Sequence, residues 1–219
     1  MNVASAAKSR PQASIWKRAG LLGTASLHEA AGRAGALPFA LKPLSGTMQI
    51  SGPAYPVRSP RGDNLWLHRA LAEAPSGSVI VADVGAGEAF GYWGEVMARA
   101  AIARSLGGLV LTGGVRDSAR LISLGFPTFC TAVAIQGTIK DFGGDGALGT
   151  PIAIGGITIA GGDLLVGDAD GVVCFPLELA EDIVSAAERR EAEEAEIFRR
   201  LEAGELTLDI YHLRKDAQS

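Results

Sequence analysis

An acid, Glu95, and an Arg-Asp pair, Arg116 and Asp117, stand either side of twenty residues in the stretch that runs from Gly91 to Asp117. Glu95 follows Gly94 where a helical pattern begins. Arg116 and Asp117 follow GLVLTGG, an apolar run with the character of a buried strand. A helix that starts at Gly94 leaves the backbone N–H groups as far as about Met97 unpaired and pointing outward. Together with the helix dipole they suit a small carboxylate. Arg116 can grip a carboxylate or polarise a keto oxygen. Asp117 can hold a divalent cation, and Glu95 can hold that cation's water shell or move a proton. If the strands before Gly94 and before Arg116 lie side by side and parallel, their C-terminal ends meet, and ligands favour that edge. The competing reading is a buried Arg–carboxylate pair that tethers two loops.

Other motifs carry less chemistry. GAGEAFG, with Gly85, Gly87 and Gly91, follows the strand SVIVADV and resembles a dinucleotide loop leading into a helix. The next strand ends in TGGVRD with no acid for a ribose, and Glu88 inside the loop would repel a pyrophosphate. GDGALG precedes Thr150-Pro151 and a strand, with no helix to supply a positive end. GDADG, with Asp168 and Asp170, lacks the later ligands of a calcium loop and reads as a hairpin turn whose Asp side chains hold backbone amides. His28, His68 and His212 have no ligand spacing and read as structural. The acids Glu188, Glu191, Glu193, Glu194 and Glu196 read by default as a solvated helix face with Arg partners.

Composition bounds the remaining possibilities. The 219 residues are 47% hydrophobic and 20% charged, enough for one sizeable core. A net charge of −4 argues against a nucleic-acid partner held by phosphate neutralisation. No apolar run reaches the roughly 18 residues that cross a bilayer, so no membrane partner is expected. Cys130 and Cys174 sit in strand-like runs and read as buried free thiols in a reducing cytoplasm. The first 28 residues are basic and acid-free, as in a transit peptide, but they read as a flexible arm over residues 1–14 that leads into a first helix.

The elements that must position the candidate site follow from periodicity. Helix is expected over about 15–35, broken near Gly23-Thr24. One or two Pro-limited strands follow in GTMQISGPAYPVRSP, then a short helix in NLWLHRALAE. SVIVADV, a helix from about Tyr92 to Ser105, GLVLTGG, a short helix in SARLISL and PTFCTAV make strand–helix–strand units, so the middle of the sheet should be parallel. GGITIAGGDLLVGDADGVVCFP alternates short strands with turns. A long helix is expected from about Leu177 to Ala203. The reading is one mixed α/β domain over 15–219 with helical N- and C-terminal extensions.

The segments GTASLHEAAGRAGALP, GDNLWLHRALAEAPSG, GYWGEVMA, GGVRD, GFPTF, GTIK, GGDLLVGDADGVVCFP and LEAGELTLDIYHLR together resemble the 4-hydroxy-4-methyl-2-oxoglutarate / 4-carboxy-4-hydroxy-2-oxoadipate aldolases. That family also contains the regulator of ribonuclease E activity. The resemblance spans about residues 22–214, and the tail LDIYHLR is similar to the aldolase branch. It implies a swivelling β/β/α fold, a homotrimer or homohexamer, and Mg²⁺ or Mn²⁺ at a site between subunits. By position, Arg116 would bind the keto-acid end of the substrate and Asp117 the metal, while Gly94, Glu95, Val96 and Met97 would line the pyruvate carboxylate. Asn64 and Lys140, in two of the matching segments, join the implied substrate-binding set. Glu95 replaces the aldolases' more usual Asp and reaches one methylene further. Glu194 falls where those enzymes bring an acid from a neighbouring subunit. The loop after Lys140 is longer than is typical of the aldolases.

The chemistry implied by the resemblance is class II retro-aldol cleavage of a 4-hydroxy-2-oxo acid. The pyruvate enolate it forms also arises when oxaloacetate loses CO₂, so decarboxylation should accompany it. The base that takes the 4-hydroxyl proton stays open between hydroxide and a water held by Glu95 and Glu194. The alternative is a non-enzymatic regulator of ribonuclease activity that binds a protein through its trimer surface.

Overall fold

The structure, a computed structural model, describes residues 12–214. Four parallel strands form the middle of its main sheet: β2 (Ile50–Arg58), β3 (Val79–Trp93), β4 (Gly108–Val115) and β5 (Thr128–Val133). The short β1 (Lys42–Pro43) adds antiparallel to β5 at one edge. β6 (Ala147–Leu148) also pairs with β2. β9 (Leu164–Gly167) and β10 (Val172–Phe175) extend the sheet beyond β2 as an antiparallel hairpin. A separate hairpin is made by β7 (Ile152–Ile154) and β8 (Ile157–Ile159). The fold is therefore mixed α/β, parallel where helices cross over and antiparallel where Gly/Asp turns join short strands.

Burial on both faces explains why the central strands read as near-continuous apolar runs. On one face Ile80, Ala82, Leu109 and Leu111 pack against α3 (Leu65–Glu73), α4 (Glu95–Ala103) and α5 (Ser118–Leu124) through Leu67, Leu71, Met97, Ala101 and Leu121. On the other face Val79, Val81, Val110 and Phe129 pack against Ile152, Ile154 and Ile159 of the small hairpin. A third cluster joins β9 and β10 to α1 (Gln12–Ala19), α2 (Thr24–Ala30) and the start of α6 (Ala180–Glu202). After α6 a single turn, α7 (Thr207–Ile210), folds back and buries Ile210.

Three boundaries differ from the expectation. The arm placed over 1–14 falls outside the described residues as far as position 11, and Gln12 already belongs to α1. The first helical region breaks before Thr24 as expected, but α2 ends at Ala30 rather than near position 35. The larger correction concerns GAGEAFG, which is not a loop leading into a helix. β3 continues through it to Trp93 with register shifts near Gly87 and Gly91, and α4 begins at Glu95 rather than near Tyr92. Gly91 allows this, since a Cβ there would sit 2.4 Å from the Ala134 carbonyl oxygen.

α6 is anchored by its first half alone. Ala180, Ile183, Val184 and Ala187 are buried, but no residue from Glu188 to Glu202 is. Cys130 and Cys174 are buried free thiols, and burial pushes them up to about 11 and about 12 respectively. No helix of the described residues is long and apolar enough to cross a membrane.

GDADG is a turn whose acid holds backbone amides, and two of its bonds are long-range. Asp168 accepts from the Thr24 N–H at 2.8 Å and from the Thr24 hydroxyl at 2.7 Å, as well as from the Asp170 N–H at 2.9 Å. It thus supplies, from a hairpin 144 residues away, the acceptor that α2 lacks locally. Asp168→Ala should lower stability by about 1–2 kcal/mol, the usual cost of losing a helix N-terminal acceptor. Chemical denaturation checks this, and an unchanged midpoint would mean the α2 start is satisfied by water.

Candidate functional site

The C-terminal ends of β3 and β4 lie side by side, with Trp93 in register with Val115. The Arg116 N–H donates to the Trp93 carbonyl at 2.8 Å, so the chain leaves both strands at one place. Gly94 is extended there and turns directly into α4. A Cβ at Gly94 would lie 2.5 Å from Asp117 Oδ2 and 3.1 Å from Arg116 Cγ. Only glycine allows this close approach.

Asp117 holds the junction from the other side. Its φ of 55° and ψ of 34° place it in the left-handed region, which Asp tolerates better than most residues. That turn starts α5 and swings the carboxylate back, so that Oδ2 accepts from the Glu95 N–H at 3.0 Å. Ala98 is the first residue of α4 to donate within the helix, to Gly94. The N–H groups of Val96 and Met97 remain as helix-start donors with no acceptor among the described residues.

These groups face a cavity of about 220 Å³. Gly94, Val96, Met97, Arg116 and Asp117 line it from the α4 and β4 side. Asn64, His68 and Tyr92 line it too, with Gly137, Thr138 and Lys140 from the segment after β5. Asn64 is buried, and its Nδ2 donates to the Tyr92 carbonyl at 2.9 Å. The Tyr92 hydroxyl in turn accepts from the Gly62 N–H at 2.7 Å. Neither Arg116 nor Lys140 forms an ion pair with a described residue, so two cations are left for a ligand.

Seven residues of the expected site, Gly94, Val96, Met97, Arg116, Asp117, Asn64 and Lys140, thus meet around one cavity. Two side chains do not join them within this chain. The Glu95 carboxylate turns along its own helix to Arg99, with Oε1 2.9 Å from Nε and 2.7 Å from Nη2. This pairing one turn onward takes the carboxylate out of the cavity wall, while the Glu95 N–H stays at the junction on Asp117. Glu194 lies on the unburied half of α6 and pairs with Arg190 at 3.1 Å.

His68 was expected to be structural, yet it lines the cavity. The signal was the spacing of Asn64, the residue that precedes α3, and His68 four residues on, off the face that buries Leu67, Ala70 and Leu71. Burial, and then the nearby charge of Lys140, hold the His68 imidazole below its ordinary value, which favours the neutral ring.

No group of three or more His, Cys, Asp or Glu side chains among the described residues could form a complete protein cage for a metal. Asp117 is the one carboxylate among the described residues that line the cavity, where Asn64 Oδ1, buried with no hydrogen-bond partner, offers a further oxygen. That suits a hard cation such as Mg²⁺, which keeps waters and takes further oxygens from a substrate, and does not suit a structural zinc site.

A family model described as RraA-like, Aldolase/RraA, matches residues 24–174. A protein of Halalkalibacterium halodurans that bears the provisional name 4-hydroxy-4-methyl-2-oxoglutarate aldolase is 35% identical over 158 residues, covering 72% of this chain and 74% of the relative. Among solved structures, an uncharacterised Pseudomonas syringae protein superposes with a TM-score of 0.77 at 29% identity, covering 89% of this chain and 94% of the other. A Streptomyces coelicolor protein described as an unusual member of the RNase ES inhibitor RraA family gives 0.74 at 27% identity, covering 89% and 99%.

The electrostatics of the cavity can be read directly. Lys140→Ala should raise the His68 pKa toward the ordinary value near 6.5, because it removes a positive charge that disfavours the imidazolium. An NMR titration of the His68 ring protons measures this. A shift downward, or none, would show that Lys140 points away from His68 in solution.

Proposed function

The chain belongs to the RraA-like, Aldolase/RraA family, and from that premise we propose that it is a divalent-metal-dependent lyase that cleaves 4-hydroxy-2-oxo acids to release pyruvate and decarboxylates oxaloacetate as a side reaction. The observation that carries this reading is the convergence of Arg116, Lys140 and two unpaired helix-start N–H groups on one cavity that also holds Asp117. Such a set fits a small acid with anionic groups at both ends. The aldolase name of the H. halodurans relative supports the reaction class.

In this reading the keto-acid end of the substrate lies between Arg116 and the N–H groups of Val96 and Met97. A carboxylate there is held by charge and by the positive end of α4. Asp117 is the protein's ligand for the cation, Mg²⁺ or Mn²⁺, which when bound supplies positive charge to the keto and carboxylate oxygens. Arg116 directs its N–H groups at the oxygen that gains charge as the C3–C4 bond breaks, and so favours the enolate over the intact substrate. Lys140 receives the second anionic group. His68, kept neutral, stands in the cavity wall where a proton must leave the 4-hydroxyl. The same enolate forms when oxaloacetate loses CO₂.

We also place a second copy of the chain at the cavity, in a homotrimer or homohexamer. The half of α6 after Ala187 is unburied and carries Phe198, which is 57% exposed, among its acids. An acidic, partly apolar arm complements a cavity lined by Arg116, Lys140 and the exposed Val96. Glu194 would then reach a neighbour's site. A second reading, a regulator that binds a ribonuclease-type partner, draws on the likeness to the S. coelicolor protein. It predicts no turnover of any 2-oxo acid.

The test is pyruvate release from a panel of 4-hydroxy-2-oxo acids and oxaloacetate. Chelator should abolish release and Mg²⁺ or Mn²⁺ should restore it; full activity in excess chelator would instead direct attention to a Schiff base on Lys140, which borohydride with pyruvate would trap. Arg116→Ala should lower kcat by about 10²–10³-fold with little change in stability. A variant that unfolds instead would make Arg116 a tether. Glu194→Gln should lower activity about 10–100-fold while fold and oligomer persist, whereas Glu193→Gln, about 100° round the helix, should have no effect. A silent Glu194→Gln would return that residue to the solvated face.

A further inference from the structure

Asp63 is 1% exposed and has no cationic partner among the described residues. Its two oxygens are divided between two segments. Oδ1 accepts from the Leu65 N–H at 2.8 Å, at the start of α3, and Oδ2 accepts from the Asp141 N–H at 3.3 Å. The two donors thus sit one residue beyond Asn64 on one side and one residue beyond Lys140 on the other. The backbone repeats the connection, with Ile139 N–H donating to the Gly62 carbonyl at 2.9 Å and Asn64 N–H donating to the Ile139 carbonyl at 3.2 Å. The loop after Lys140 is drawn onto the same point. Trp66 Nε1 donates to the Gly144 carbonyl at 3.2 Å, and a Cβ at Gly144 would come within 3.1 Å of Asp63 Oδ2.

Burying a carboxylate without a cationic partner is costly unless its oxygens are hydrogen-bonded, as both are here. A long lysine on an exposed loop would otherwise sample many rotamers and positions. We infer that Asp63 is a positioning residue that fixes Lys140 relative to α3, and thereby sets the site's recognition of a second anionic group on its ligand. The inference rests on the proposed binding of a 2-oxo acid between Arg116 and Lys140. It adds the residue that determines how far from Arg116 the second anion is accepted.

The experiment is a binding cycle by calorimetry, in Mg²⁺, with pyruvate and 2-oxoglutarate as probes. They share the keto-acid end, and only 2-oxoglutarate has a second carboxylate. Asp63→Asn keeps the shape but replaces one acceptor with a donor, so one of the two N–H groups loses its partner. It should weaken 2-oxoglutarate about tenfold, the scale of one lost charge-assisted hydrogen bond, and leave pyruvate unchanged. Lys140→Ala should do the same, and the double variant should be no weaker than Lys140→Ala alone. Gly144→Ala, which crowds the same oxygen from the loop side, should reproduce the effect if Asp63→Asn folds poorly. Faster hydrogen exchange at the Asp141 amide in Asp63→Asn reports the broken clamp without any ligand. Multiplying losses in the double variant, equal weakening of both probes, or no effect of Lys140→Ala would overturn the inference. A wild type that shows the full binding cycle but releases no pyruvate would sink the lyase reading and leave this one standing.

Discussion

The close approach of Gly94 to Asp117 is the constraint on which the site depends. A helix start and a strand end share one carboxylate here, and a Cβ at position 94 would put an atom 2.5 Å from Asp117 Oδ2. The rest of the junction follows. Asp117 takes a left-handed conformation to turn back towards α4. Its bond to the Glu95 N–H uses one helix-start donor and leaves those of Val96 and Met97 for a ligand. Arg116, one residue earlier, is carried to the mouth of the same cavity.

The sheet makes that approach reproducible. β3 and β4 are buried on both faces, so Ile80, Ala82, Leu109 and Leu111 fix one helical layer and Val79, Val81 and Val110 fix the hairpin layer opposite. A one-residue slip would exchange the two sets of side chains and is strongly disfavoured. Polar groups continue the scaffold to the far wall, where Asn64, Tyr92 and Gly62 are linked by hydrogen bonds. The site is thus built on rigid elements along three of its edges, and its charged ends are the parts left exposed to solvent.

Much of this was legible in the residues themselves. Apolar runs bounded by glycine identified the parallel strands, and a helix pattern that starts at Gly94 was enough to bring Glu95, Arg116 and Asp117 to one sheet edge. The failures have physical causes. Glycines in GAGEAFG signal a loop by composition, but here they let a strand shift register and pass close to Ala134. The direction of Glu95 depends on Arg99 one turn away, a local pairing that competes with the site. His68 looked isolated because its partners, Lys140 and the cavity wall, come from distant segments. Asp63 was invisible for the same reason: one of the two amides it joins belongs to a loop 78 residues on.

The central claim is that the Gly94–Asp117 junction forms a site where a 2-oxo acid is converted to its enolate. Deuterium exchange into the methyl group of pyruvate, followed by NMR in D₂O with Mg²⁺, reads enolate formation without needing the physiological substrate. The wild type should exchange the methyl protons well above the solvent rate. Gly94→Ala, folded but with its helix start pushed away from Asp117, should reduce the exchange to background. Absence of exchange in the wild type, or equal exchange in a folded Gly94→Ala protein, would contradict the account.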